Sequence, residues 1–399
     1  MKITFALLII IFLAFSGYHL SFRNFRLPLF ARQFYLSGTE FLFLGLLLGP
    51  QFFNLLDMET QKGLAPLCAL LLGWIGLLTG FQFEVKKLRR FPAEYFLAAI
   101  LEGCLTLASV FFALYFTLPI FMNISNPIRT VAAITLAAAA ACTAQTSLVL
   151  MSPDSIGRRR DTVRLLRYLS SIDCLSALLI FGLAFIFHPL PISDGSWVEA
   201  LGWGVLISLG ASIGLLLLFT LFLSQRRPEN ELILIVIGMT VITSGMASAL
   251  NFSPLLTNAF VGFWLVNLSR DKERIYQILL SIEKPIYLLL LVFLGFGLRI
   301  DSMYVIFLAA VYCLYRILGK FISGFLVTGM ARELKTYPRK LGFGLLDQGG
   351  LPLAIFLDFQ QAFPSDIAVF VTSLAILAVI YNEFLSPHFL RRLLTADSK

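Results

Sequence analysis

The chain has 399 residues, 58% of them hydrophobic and only 14% charged, with a formal net charge of +8 and a mean hydropathy of +0.87. A water-soluble fold of this length cannot hide so much apolar surface, so the composition excludes a soluble globular protein and requires a polytopic membrane protein. Apolar runs of 18–28 residues, far longer than the roughly ten of barrel strands, make the spans helical.

In chain order the predicted spans are 3–20, 29–49, 64–83, 94–121, 128–152, 162–187, 197–224, 231–250, 254–268, 275–299, 302–330, 341–362 and 364–389, numbered here one to thirteen. Span one follows Lys2 and has the outline of a signal peptide. It is read as a retained helix, because the charge alternation below needs it. Span two opens at Glu40, and span four carries Glu102, an intramembrane acid with no partner that the sequence names.

Span five contains AAAAACTAQTSLVLM. Thr143, Gln145 and Thr146 offer oxygen ligands there, and the alanines let neighbouring helices approach closely. Span six contains RYLSSIDCLSALLIFGLAFIF, with a single carboxylate, Asp173. At 1.5 Å per residue Asp173 lies roughly 17 Å into the span, near the bilayer midplane. An acid there costs about 2.5–3.5 kcal/mol, so it faces a cavity or a partner and handles an ion or proton. Ser170, Asp173, Ser176 and Ala177 share one small, polar face.

In span ten, Glu283, Lys284 and Pro285 form a local interfacial feature. Span eleven contains LYRILGKFISGFL. Arg316 sits at its middle, and a buried guanidinium needs an anion, for which Asp173 is a candidate. Lys320, one turn on along the same face, either joins that pairing or snorkels to the headgroups. Span twelve contains GLLDQGGLPLAIF. Gly349, Gly350 and Pro352 disfavour a continuous helix, at about 1 kcal/mol per glycine and about 3 for proline. Asp347 and Gln348 flank that break, and Asp347 competes with Asp173 for Arg316 or Lys320. One interrupted span in each half is the pattern of inverted repeats whose broken helices cross at a binding site.

Lys and Arg alternate by side. The loops after spans one, three, five, seven, nine and eleven, with the tail, hold 24 of the 31, including Arg23, Lys86, Arg158, Arg226, Arg270 and Arg332. The opposite side holds only Lys2, Lys62, Arg129 and Arg299. The positive-inside rule then puts the N-terminus outside and the C-terminus in the cytoplasm. The net charge is thereby a topology signal, and nucleic acid is not an expected partner. Five cysteines lie in apolar runs without metal spacing, and His19, His188 and His388 are scattered. No cofactor, metal or enzyme motif is present in the sequence.

From about residue 28 to 390 the chain resembles the sodium/proton exchanger family, most of all the branch with the bacterial potassium-efflux antiporters. SGTEFLFLGLLLGP (37–50), WIGLLTGFQFEVKKLRR (74–90), LNFSPLLTNAFVGFWLVN (250–267), EKPIYLLLLVFLGFGLRID (283–301) and QGG (348–350) carry the likeness in their order and spacing. The resemblance implies a homodimer, with spans one to three (1–93) and eight to ten (231–301) for dimerisation. It implies a moving core from spans four to six (94–188) and eleven to thirteen (302–390), a linker span in 189–230 and a short tail, 391–399. The family's essential acid falls on Asp173, its basic residue on Arg316 or less well on Lys320, and its span-five threonine on Thr143. Two positions depart from the pattern: Ile172 stands where Asp, Asn or Gln usually precedes the acid, and Leu351 where Glu commonly follows the glycines.

The expectation is an all-α membrane protein that exchanges protons for Na⁺ or K⁺, in the plasma or inner membrane, with one acid and hence one proton per cation. Two other readings stay open: a carrier of an anionic or organic solute on the same scaffold, and a non-transporting sensor or assembly partner.

Overall fold

The computed structural model describes residues 38–54, 58–122, 124–144, 160–184, 228–300, 303–330 and 334–395. Apart from isolated positions, spans one and seven lie outside the described residues, as do Gln145 and Thr146.

Every regular element among the described residues is helical. The principal helices are α1 (Thr39–Leu48), α2 (Ala65–Phe81), α3 (Ala93–Phe121), α4 (Asn126–Ala141), α5 (Arg160–Ala184) and α6 (Glu229–Ala249). They continue with α7 (Pro254–Leu268), α8 (Lys272–Gly297), α9 (Met303–Met330), a 3₁₀ turn (Leu341–Leu345), α10 (Gly350–Ala362) and α11 (Asp366–Thr395). Six of these, α3, α5, α6, α8, α9 and α11, are long and apolar enough to cross a bilayer, and α1, α2 and α7 are shorter apolar helices. In lipid each backbone polar group must be satisfied within the chain, which is why apolar runs of this length become helices.

Sequence signals set several ends. Pro254 opens α7 where its missing N–H is not needed, and the Ser253 hydroxyl caps the helix by accepting from the Leu256 amide at 2.9 Å. Span nine coincides with α7. Hydropathy ends span thirteen at 389, yet α11 runs on to Thr395. The reason is burial: Leu390, Leu393 and Leu394 pack with Leu165, Leu166 and Leu169 of α5.

The helices pack as two groups. In the first, α2 lies along α7, α1 along α8, and α6 against α2 and α7. In the second, α3 packs on α4, α5 and α9, while α11 packs on α9 and the 3₁₀ turn. Helix α10 touches α2, α4, α8 and α11 and so lies on the seam between the groups. Glycine permits the tightest crossings. A Cβ on Gly80 would fall 2.1 Å from the Ala259 carbonyl oxygen, and one on Gly262 2.3 Å from that of Leu77. The α1–α8 crossing repeats this at Gly45 and Gly295. Here backbones meet directly, as membrane helices with small residues do. Phe112, Phe116 and Ile120 of α3 and Leu314, Leu318 and Ile322 of α9 point outward, as lipid-facing stripes.

Candidate functional site

The site grows from two interrupted helices. The buried alanine run of α4 ends at Ala141, and Cys142 is already extended. Facing it, the 3₁₀ turn ends at Leu345, and regular helix resumes only at Gly350. The two irregular stretches are joined where the Ala144 amide donates to the Asp347 carbonyl at 3.0 Å. Pro352 lies inside the first turn of α10, where a helix lacks intrahelical amide bonds anyway. The interruption therefore covers residues 346–349, Gly349 included, rather than falling at the proline.

Helix breaks free backbone carbonyls that lipid cannot satisfy. Arg316, wholly buried in α9, supplies the donors. Its Nε donates to Ala140 O at 3.0 Å and its Nη1 to Leu346 O at 2.5 Å. Its Nη2 donates to Cys142 O at 3.0 Å, Asp347 O at 3.3 Å and Leu345 O at 3.4 Å. Nη1 also reaches Asn382 Oδ1 at 3.3 Å. Gln348 adds to the clasp: its Nε2 donates to Ala139 O, and its Oε1 accepts from Asn382 Nδ2, each at 3.0 Å. Tyr312 donates its hydroxyl to Leu136 O at 2.9 Å.

One turn further along α9, Lys320 is also wholly buried. Its Nζ lies 3.1 Å from Asp173 Oδ2 and 3.2 Å from Glu102 Oε2. It donates as well to Ala141 O at 2.7 Å and Thr143 Oγ1 at 3.0 Å. The Thr143 hydroxyl donates to Asp173 Oδ2 at 2.5 Å. Asp173 Oδ1 is buried and has no hydrogen-bond partner among the described residues. Glu102 is held on its other oxygen: Oε1 accepts from Ser323 at 2.9 Å and from Thr106 at 3.1 Å.

A cavity of about 770 Å³ reaches this constellation from one side. Thr143, Ala144, Ser170 and Gln348 to Gly350 line its inner part, and Lys87, Lys272 and Glu273 its mouth. At the mouth, Glu84 pairs with Lys272 at 2.5 Å and Lys87 at 2.8 Å. Hydrogen bonds from the two ammonium groups, Lys272 first, hold the Glu84 carboxyl below its usual range. A second cavity of about 600 Å³ lies at the opposite end of α2, against Ala65 to Leu72, Ser248, Pro254 and Asp358. There the Ser253 hydroxyl donates to Asp358 of α10, which ties α10 to the start of α7.

Of the residues singled out in the sequence, Asp173, Thr143 and Lys320 meet directly. Ser170 lines the cavity one turn away and donates to Arg167 O at 3.0 Å. Asp347, Gln348 and Gly349 lie in the span-twelve interruption, whereas Gly350 opens α10 and Pro352 sits in its first turn. Arg316 differs from the expected pairing: it forms no ion pair with a carboxylate among the described residues, because the carbonyls of the broken helices take its donors. Glu102, without a partner in the sequence, has one in Lys320. Asn382 and Asp358 were missed, although each is a polar residue inside a predicted span, Asn382 beside Glu383 and Asp358 just before Gln360 and Gln361, which is the signal that would have found them.

Among solved structures the fold matches the sodium proton antiporter MjNhaP1 from Methanocaldococcus jannaschii, with a TM-score of 0.67 over 99% of this chain and 100% of that one, at 16% identity. Comparison with curated proteins gives no significant match. A family model described as "Sodium/hydrogen exchanger, transmembrane" matches residues 10–387, and with that extent of the sequence covered, the chain belongs to the sodium/hydrogen exchanger family.

Proposed function

We propose that the protein exchanges protons for a monovalent cation, Na⁺ or K⁺, by alternating access, with Asp173 carrying either guest in turn. The observation that carries this reading is the state of Asp173: a buried mid-span carboxylate whose Oδ2 is shared by Thr143 and Lys320 and whose Oδ1 has no partner among the described residues. A hard monovalent cation suits such carboxylate and hydroxyl oxygens, and so does a proton. Both cannot be held at once, and that competition is what couples the two fluxes. One exchanging carboxylate gives one proton per cation, so transport is electroneutral.

Helices α3–α5 and α9–α11 would move as the core against a dimerising scaffold of α1, α2 and α6–α8, sliding along the seam at α10. In this reading the 770 Å³ cavity is the cytoplasmic approach, since its mouth carries Lys87 and Lys272. An anion-carrier reading is less well supported, because the buried cationic groups are engaged: Arg316 by carbonyls and Lys320 by two carboxylates.

The test is exchange in proteoliposomes at a fixed pH gradient, scanning Na⁺, K⁺ and Li⁺. The wild type should move at least one of these, and Asp173→Asn should fall to the level of empty liposomes. Exchange by Asp173→Asn at the wild-type rate, or a wild type inert to all three ions, rejects the proposal.

A further inference from the structure

We propose that Glu102 is a fixed counter-charge for Lys320, which sets the empty site at one net negative charge so that a single proton or a single monovalent cation neutralises it. This rests on the antiporter reading above.

The argument is a charge count over the buried cluster. Lys320 Nζ stands almost midway between two carboxylates, 3.1 Å from Asp173 and 3.2 Å from Glu102. The carboxylates are not equivalent. Glu102 receives donors on both oxygens, two hydroxyls on Oε1 and the ammonium on Oε2. With both oxygens already engaged, Glu102 leaves no open position for a guest. Asp173 is bonded on Oδ2 only. The guest therefore belongs on Asp173, whose Oδ1 is open, while Glu102 remains the partner of Lys320.

The other charged groups facing the cluster are Arg316, four residues before Lys320 on α9, and Asp347 at the helix break. They add one charge of each sign. The Cys174 thiol, beside Asp173 and hydrogen-bonded to Cys142, adds none. The sum is decided by Asp173, Glu102 and Lys320. When a cation displaces Lys320 from Asp173, Lys320 still has Glu102, so it keeps its proton and no unpaired charge is buried.

Without Glu102 the arithmetic changes. The empty Asp173–Lys320 pair is neutral, and an added cation leaves a buried excess positive charge. That excess is relieved only if Lys320 gives up its proton, which a lysine does at much higher pH. Removing Lys320 as well restores a site with one negative charge.

The experiment compares wild type, Glu102→Gln and Glu102→Gln/Lys320→Gln in proteoliposomes, reading KM for Na⁺ and K⁺ and the pH of half-maximal exchange. Glu102→Gln should raise KM about tenfold or more and move the pH midpoint up by more than about one unit. The double variant should regain exchange relative to Glu102→Gln and bring the pH midpoint back down, a recovery that a merely structural role would not produce. If Glu102→Gln does not fold, a folded double variant that exchanges, with a midpoint no higher than that of the wild type, supports the proposal on its own. The proposal is overturned if Glu102→Gln keeps the wild-type KM and midpoint. A folded double variant that stays inactive overturns it too. Loss of folded protein in both variants makes Glu102 and Lys320 a structural clamp and overturns it as well. A wild type that exchanges nothing fails the antiporter reading first, and is recognised because no substitution is involved.

Discussion

Arg316 and Lys320 lie one turn apart on the same face of α9, yet their chemistry divides them. The guanidinium is a planar fork that can serve several carbonyls at once, whereas the ammonium is a compact point charge that suits a place between two carboxylates. Arg316→Lys keeps the charge but cannot reach the carbonyls of Ala140, Cys142 and Leu346 together. It should cost about 3 kcal/mol, since each buried acceptor left unmet costs about 1–3 kcal/mol. Thermal unfolding in detergent reads this, and an unchanged melting temperature would refute the clasp. Thr143 offers a finer test. Thr143→Val removes the hydroxyl bonded to Asp173 and should impair exchange while costing only about 1 kcal/mol of stability, and Thr143→Ser should retain exchange. Glu84 allows a pH test away from the site. Its carboxyl titrates below the usual range when folded, so its pairing stabilises the protein above the unfolded-state value and is lost as pH falls through the lower, folded one. Glu84→Gln should therefore be less stable than wild type near neutrality, with the gap closing in acid. A constant gap across pH would show that the ion pairs contribute nothing.

At the scale of elements, the site depends on where helices stop. An alanine run gives α4 slender walls, so neighbouring side chains come close enough to bond its last carbonyls. The glycine-laced α2–α7 crossing anchors the other side of the seam. Gly80→Leu would force a Cβ to 2.1 Å from the Ala259 carbonyl and separate the two helices. Overpacking of this kind typically costs about 1–3 kcal/mol. The expected result is a lower melting temperature and a smaller yield of monodisperse protein, measured by size exclusion. A variant as stable as wild type would show that the crossing has slack.

Across the whole molecule, two cavities approach the seam from opposite ends of α2, and only the larger reaches Thr143 and Gln348. This asymmetry has a direct readout in oriented vesicles. Ser171→Cys, on the wall of the larger cavity, should react with a membrane-impermeant maleimide from the side bearing Lys87 and Lys272. Ser248→Cys, beside the smaller cavity, should react from the opposite side. By the charge rule the first side is the cytoplasm. Labelling of both from one side would contradict the described arrangement.

The sequence alone determined the class and much of the plan. Hydropathy and run length fixed a helical membrane protein, because lipid leaves no other way to satisfy the backbone. A lone acid at mid-span and a Gly-Gly-Pro interruption pointed to Asp173 and to the break before α10, because both are costly in a bilayer and persist only where protein surrounds them. What the sequence could not decide is which charged group meets which. Arg316 and Lys320 share a face, Asp173 and Asp347 compete for them in the sequence, and Glu102 is a further intramembrane acid to which the sequence assigns no partner. Only the tertiary structure allots the guanidinium to the carbonyls of two broken helices and the ammonium to Asp173 and Glu102. The physical reason is that this pairing follows from how α3, α5 and α9 pack around the ends of two helices far apart in the chain. Periodicity within one span carries no information about that.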